Sequence, residues 1–254
     1  MNLNQLATTL REARENRQAI APLTATEPLT LEQAYAVQEI GRELALAGGE
    51  TVCGYKMGLT SRAKQRDVQV FETIHGYLLR SMEVLPGQTV ATATRIHPRV
   101  EPEVAVVLKR PLRGRVSLRE LVSAIEGIYP ALEILDSRYE SFSFRLPDVI
   151  ADNTSASGFA VGSRNLLPYL DELTLLGVSM RKNGELLETG TPAAAMGNPL
   201  FVVIDLLQCL ARENRQLEPG MVVLTGGLTA SVPFAKGDWI EIEWPGETLA
   251  FHAE

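Results

Sequence analysis

The sequence predicts an α+β protein, with a helical N-terminal unit followed by a β-rich body built on a large mixed sheet. Three observations carry that reading. Up to residue 50, apolar side chains recur at helical spacing. From Thr51 onward, short apolar runs alternate with Gly and Pro punctuation, as strands and turns do. Helical stretches do not alternate regularly with those runs, which argues against a doubly wound fold. Residues 1–50 are therefore read as a helical cover and residues 51–254 as the β-rich core. With little core of its own, the cover has to pack on the rest.

Leu3, Leu6, Leu10 and Ala13 mark one face of a first helix over 3–17. Pro22 and Pro28 bracket a loop. Thr30-Leu31-Glu32-Gln33 has capping-box spacing and opens a helix that should run to Ala47 and stop at Gly48-Gly49. Strands are expected at 51–56, 102–109, 131–136, 157–161, 176–182, 221–225 and 239–243. Ser117-Leu118-Arg119-Glu120 opens a further helix, and Asn198-Pro199 opens another that ends near Glu213. Asn183-Gly184 reads as a hairpin turn between 178–181 and 186–188.

The 254 residues suffice for one large domain or two small ones. Hydrophobic content of 45% and charged content of 22% are ordinary globular values. A net charge of −7 with no basic cluster argues against nucleic acid as a partner. Cys53 and Cys209 lie far apart in apolar settings and form no CxxC pair, which disfavours a soft-metal site. The N-terminus carries mixed charges without an apolar signal core, and no run of 18 apolar residues exists. A cytoplasmic enzyme without a membrane span is the default expectation.

Glu101-Pro102-Glu103 begins the apolar run Val104-Ala105-Val106-Val107-Leu108. In a strand, residues i and i+2 share a face, so the two carboxylates would project side by side. They are either a solvated strand end or a site for a hard cation such as Mg²⁺. Glu133, inside Ala131-Leu132-Glu133-Ile134-Leu135-Asp136, needs a partner, either a core arginine or a cation shared with that pair. Asp136 falls on the opposite strand face and is expected to pair with Arg138. Lys56, in Gly54-Tyr55-Lys56-Met57-Gly58-Leu59-Thr60-Ser61, is either a surface lysine beside a turn or a cation held in a cleft. Asp152-Asn153-Thr154-Ser155 is an Asx-turn or a substrate-orienting loop. Thr225-Gly226-Gly227 after an apolar strand is a turn or an anion-approaching backbone. His75 and His97 are read as structural. No nucleophile elbow, Walker loop or dinucleotide fingerprint occurs.

Taken in order, the segments Tyr55 to Ser61, Val100 to Glu103, Leu132 to Tyr139, Ala151 to Ser155 and Leu224 to Gly227 resemble the hydratase/decarboxylase branch of the fumarylacetoacetate hydrolase superfamily. The resemblance covers nearly the whole chain. It implies a mixed β-sheet/β-roll core that binds metal and carries the catalytic site. It implies Mg²⁺ or Mn²⁺ on Glu101, Glu103 and Glu133, with Lys56 as the active-site lysine. Ser155 and Asn153 become candidate orienting groups, and Leu59, Thr60, Thr225, Gly226 and Gly227 candidate substrate contacts. The branch holds 2-hydroxypenta-2,4-dienoate hydratases and 4-oxalocrotonate (2-oxo-3-hexenedioate) decarboxylases of aromatic meta-cleavage degradation. Ile74 to Leu78, Ile96 to Pro98 and Ser137 to Phe142 look more like the decarboxylases, so decarboxylation is favoured over hydration. A non-catalytic binding module is the third reading. A C–C hydrolase would need a histidine–carboxylate base, for which the sequence offers no good candidate. A small 2-oxo acid as ligand, a homo-oligomer and a complex with a homologous hydratase are the expected partnerships. In this sequence Ala156 replaces the second of two serines often found in the family, and Gly158 stands where some decarboxylases carry arginine.

Overall fold

The computed structural model describes residues 2–61, 65, 72–85 and 87–254. Its larger sheet has seven strands in the order β2 (Ile74–Leu79), β1 (Val52–Gly58), β8 (Val222–Leu224), β3 (Arg99–Leu108), β4 (Ile125–Leu135), β5 (Ala156–Val161), with the short β9 (Val232–Pro233) beside β3. Among the described strands of this sheet only β1 and β8 pair in parallel, so the sheet is mixed. A second, antiparallel sheet runs β11 (Glu247–His252), β10 (Trp239–Trp244), β6 (Val178–Lys182), β7 (Glu185–Gly190). The inner faces of the two sheets share one apolar core, in which Val104 and Val106 meet Met180, Ile240 and Ile242. That is the α+β architecture with a large mixed sheet that the sequence predicts.

Among the described residues five α-helices surround these sheets: α1 (Leu3–Asn16), α2 (Leu31–Ala47), α3 (Leu118–Ala124), α4 (Leu146–Ala151) and α5 (Pro199–Arg212). Both predicted capping boxes form, Thr30 with Gln33 and Ser117 with Glu120. Helix α5 is capped by the Asn198 side chain, with Pro199 at its first position. The segment Pro192–Arg212 is apolar enough for a membrane span, with a mean hydropathy of 1.6. Its regular helix has only 14 residues, or about 21 Å against a hydrocarbon core of about 30 Å. Leu200, Val203, Leu206, Leu207 and Leu210 are buried in the protein core, so α5 is a core helix. The hairpin turn is as predicted, with positive φ at both Asn183 and Gly184.

Strands β2 and β11 and helix α4 lie outside the predicted elements. In β2 all six residues are buried, so it lacks the alternation that marks a half-exposed strand. Helix α4 is six residues long with Pro147 near its start, too short to show a 3.6-residue period.

Helices α1 and α2 form a separate apolar cluster. Ala7, Leu10, Ala34 and Val37 pack with Ile74, Tyr139, Ile150 and Ala151. Buried Gln38 pins this layer to the sheet, donating from Nε2 to the carbonyls of His75 (3.0 Å) and Ile150 (2.9 Å). His75 points away from Lys56 across β2. Its ring stacks on Tyr35 with centroids 4.9 Å apart, and its Nε2 lies 2.9 Å from Glu213 Oε1. A histidine–carboxylate pair therefore exists, but it ties β2 to the end of α5, in keeping with a structural role. Cys53 is buried, and burial pushes its thiol up to about 11. Cys209 on α5 is only half-buried.

Two outcomes test these anchors. Gln38→Met keeps the volume but leaves the buried His75 carbonyl without its donor, while the Ile150 carbonyl keeps the Asp152 N–H. It should lower unfolding stability by about 2 kcal/mol, at ~1–3 kcal/mol per orphaned group, measured by urea denaturation. Burial would lower the His75 pKa, but Cys209 and Glu213 outweigh it and raise it to about 9 from 6.5. The stability this pair contributes is complete below pH 6.5 and is lost as pH rises through about 9. His75→Asn should flatten that stretch of the stability–pH curve.

Candidate metal centre and active site

Strands β3 and β4 are antiparallel, with Glu101 directly opposite Glu133 and Glu103 opposite Ala131. Glu101, Glu103 and Glu133 thus share one face of two adjacent strands. One oxygen from each lies within 4.8 Å of the others. Glu103 and Glu133 are fully buried, and Glu101 is 5% exposed. Of the alternatives open in the sequence, the solvated strand end and the core arginine are both ruled out for the described residues. The cation beside Glu133 is Lys56, whose Nζ stands 3.0 Å from Oε2.

Among the described residues, three buried carboxylates gather around one ammonium. Burial pushes Glu133 up to about 7 despite Lys56, and Glu101 adds to the rise. Burial, then the charges of Glu133 and Glu101, hold Glu103 well above the ordinary carboxylate range. Burial alone would lower the Lys56 pKa, but Glu133, Glu103 and Glu101 outweigh it and raise it, so Lys56 is a firm ammonium. Glu103 Oε1 and both Glu133 oxygens are buried without a hydrogen-bond partner among the described residues, the Lys56 contact being one of charge without hydrogen-bond alignment. Orphaned carboxylate oxygens converging at this spacing fit a hard divalent cation, and the all-oxygen donor set favours Mg²⁺, Mn²⁺ or Ca²⁺ over softer metals.

The loop after β8 runs back along β3. Gly226 N donates to Glu103 Oε2 at 2.6 Å, and Leu228 N to the Pro102 carbonyl at 2.9 Å. Gly226 has a φ of +98° and leaves no room for a Cβ beside Thr60 Oγ1. A Cβ on Gly227 would strike the Glu101 carboxylate. The paired glycines thus let backbone reach the acidic groups. Thr225 is spent on β3, its N and Oγ1 both donating to the Val104 carbonyl at 3.1 Å. Buried Thr60 packs on Gly226, and its carbonyl accepts from Met196 N. The Leu59 side chain packs against the cluster under α1 and α2, and its carbonyl accepts from Gln65 Nε2 at 2.9 Å.

Lys56 is held from the other side by a left-handed turn. Asn153, Thr154 and Ser155 have φ of 49°, 50° and 60°, an arrangement costing about 1–3 kcal/mol at each residue. The Thr154 carbonyl accepts from Lys56 Nζ at 3.2 Å. Gly76, paired with Lys56 in the β1–β2 register, makes room for the turn. A Cβ there would lie 2.5 Å from Thr154 Oγ1 and 2.7 Å from Asn153 Oδ1. Asn153, expected to orient substrate, is committed elsewhere: its Oδ1 accepts from Tyr77 N (2.9 Å) and its Nδ2 donates to Tyr77 O (3.0 Å). It anchors the turn. Ser155 Oγ is buried and has no partner among the described residues.

The expected Asp136–Arg138 pair does not form. Arg138 pairs with buried Asp152, and Asp136 instead accepts from the backbone N–H groups of Ile96 and His97. Both the backbone N–H and the guanidinium of Arg138 reach Asp152, while two backbone N–H groups satisfy Asp136. Burial raises the Asp152 carboxyl to about 6 against the pull of Arg138. Gly76 and Thr154 were missed as site residues. A glycine inside the apolar run Ile74 to Leu79 was the available signal, because it marks a close backbone approach.

The profile described as "Fumarylacetoacetate (FAA) hydrolase C-terminal" matches residues 56–250. A 4-oxalocrotonate decarboxylase from Pseudomonas sp. is 37% identical over 243 residues, covering 96% of this chain and 94% of its own length. A 2-keto-4-pentenoate hydratase from Burkholderia vietnamiensis is 38% identical over 231 residues, covering 89% and 87%. Among solved structures, the 4-oxalocrotonate decarboxylase from Pseudomonas putida G7 complexed with magnesium and adipate superposes with a TM-score of 0.95 at 38% identity, over 99% of this chain and 97% of that one. Motif order, sheet topology and buried acidic triad therefore agree with full-length similarity: this chain belongs to the fumarylacetoacetate hydrolase family.

Proposed function

We propose that this protein is a metal-dependent lyase that decarboxylates 2-oxo-3-hexenedioate (4-oxalocrotonate) to 2-hydroxypenta-2,4-dienoate in aromatic meta-cleavage degradation. The observation that carries the reading is the buried triad Glu101, Glu103 and Glu133 beside the Lys56 ammonium, with Glu103 Oε1 and both Glu133 oxygens lacking a hydrogen-bond partner among the described residues. Full-length similarity to proteins named 4-oxalocrotonate decarboxylase supports the choice of substrate. The three carboxylates would hold Mg²⁺ or Mn²⁺, which when bound supplies Lewis-acid pull on the ketone of a 2-oxo acid.

The chain's own groups do the rest. As the C5–C6 bond breaks and CO₂ leaves, its electron pair becomes C4=C5. The C3=C4 pair shifts to C2=C3, and the C2 oxygen gains charge and then a proton. Lys56, a firm ammonium in a water-poor site, stabilises that charge. The left-handed turn and Gly76 fix where the ammonium sits. Ser155 offers a buried hydroxyl, without a partner among the described residues, on that turn for holding substrate. Buried Thr225 and the Gly226 and Gly227 backbone close the site behind the carboxylates. Similarity to 2-keto-4-pentenoate hydratases at 38% identity supports hydration of 2-hydroxypenta-2,4-dienoate as the second reading. The family resemblance also carries a homo-oligomer working beside a homologous hydratase, which co-purification reads.

Purified protein with Mg²⁺ should release CO₂ from 2-oxo-3-hexenedioate faster than it hydrates 2-hydroxypentadienoate; the reverse order selects the hydratase. Glu103→Gln should abolish Mg²⁺-dependent turnover with thermal unfolding little changed, and full activity without added metal would refute the metal role. Lys56→Met should lower kcat by about 10²–10³-fold, the usual loss for a removed charge-stabilising group, with a smaller change in Mg²⁺ affinity by calorimetry. Gly76→Ala should reproduce the Lys56→Met pattern by displacing the turn; unchanged kcat would show that the turn does not set the lysine.

A further inference from the structure

We propose that Arg99 is the docking group for the distal carboxylate of the substrate and so selects diacids over monoacids. The inference rests on the lyase reading above and deepens it. Arg99, Glu101 and Glu103 are successive same-face positions of β3, with no bulge between them. Arg99 lies one same-face step, ~6.8 Å at 3.4 Å per residue, from Glu101 toward the start of the strand. Depth changes along the row. Glu103 is fully buried, Glu101 is 5% exposed, and Arg99 is half-buried. The row leads from the acidic centre to the mouth of the site and ends on a guanidinium.

The surroundings of Arg99 leave its charge uncompensated. Its Nε donates to Ser231 Oγ (2.8 Å) and one terminal nitrogen to the Ser231 carbonyl (2.6 Å). Its guanidinium carbon stands 5.3 Å from the centre of the Phe142 ring. These partners are neutral, and no carboxylate pairs with Arg99 among the described residues. The loop that places Gly226 on Glu103 and Gly227 on Glu101 continues to Ser231 on Arg99, so one segment backs the whole row. Phe142 reaches its place through positive φ at Ser141 (56°) and Phe142 (55°), a conformation that a bulky residue rarely adopts. The ring in turn packs on Phe144 at 5.5 Å.

A 2-oxo diacid bound with its keto-acid head at the carboxylates would extend along this row and meet the guanidinium with its other end. A planar guanidinium takes a carboxylate through two parallel hydrogen bonds. The negative charge it meets is lost as CO₂ departs, so the contact favours binding and alignment of the breaking bond over rate.

The test is calorimetric, on Mg²⁺-loaded protein, with unreactive 2-oxoadipate and with 2-oxohexanoate, which has the same chain length without the distal carboxylate. The wild type should bind the diacid at least 10-fold more tightly. Arg99→Gln should remove that preference by weakening the diacid alone, with Mg²⁺ and 2-oxohexanoate affinities within twofold of wild type. Arg99→Lys should keep part of it. An Arg99→Gln protein that still prefers the diacid, or a wild type that binds both acids equally, overturns the inference and leaves the lyase reading standing. A wild type that binds neither acid with Mg²⁺ overturns both.

Discussion

Antiparallel pairing sets Glu133 across from Glu101, with Glu103 two residues along, and the rest of the site depends on that register. A slip of one residue would turn Glu133 into the apolar core and bring Ile134 into the acidic row. The neighbouring positions oppose such a slip. Val100, Val104, Val106 and Ile134 point to the other face and are fully buried. Hydrophobic packing on one face of the sheet therefore holds together charges that repel each other on the opposite face. The sheet carries that electrostatic strain because β3 and β4 are interior strands, each paired on both sides.

Much of this was legible from side-chain spacing. The i, i+2 glutamates needed only the strand period, and Glu133 announced itself as a charge in an apolar run. The capping boxes and the Asn183-Gly184 turn were readable because they are local. Partnerships between segments were not. Nothing in the sequence says that β8 lies between β1 and β3, that Asp152 takes Arg138 from Asp136, or that Asn153 is consumed by Tyr77. Strand β2 escaped because burial on both faces removes the alternation that identifies a strand.

Backbone strain is concentrated near the site. Leu59, the 141–142 pair and the 153–155 turn all hold non-glycine residues at positive φ. Each has a visible support. Gln65 donates to the Leu59 carbonyl, the aromatic rings of Phe142 and Phe144 pack together, and Asn153 grips Tyr77 while Gly76 leaves space. Strain held in this way fixes positions that relaxed turns would leave variable.

Inserting β8 between β1 and β3 also has a kinetic side. The β3–β4 hairpin is local and can gather the three glutamates as soon as residue 135 is available. Lys56 and the Gly226 amide reach them only when β8, far beyond β4 in the chain, threads into the gap. Such long-range closure is slow relative to hairpin formation. On the ribosome, the acidic half of the site can thus form before Lys56 is seated beside it, and that order persists until β8 has emerged.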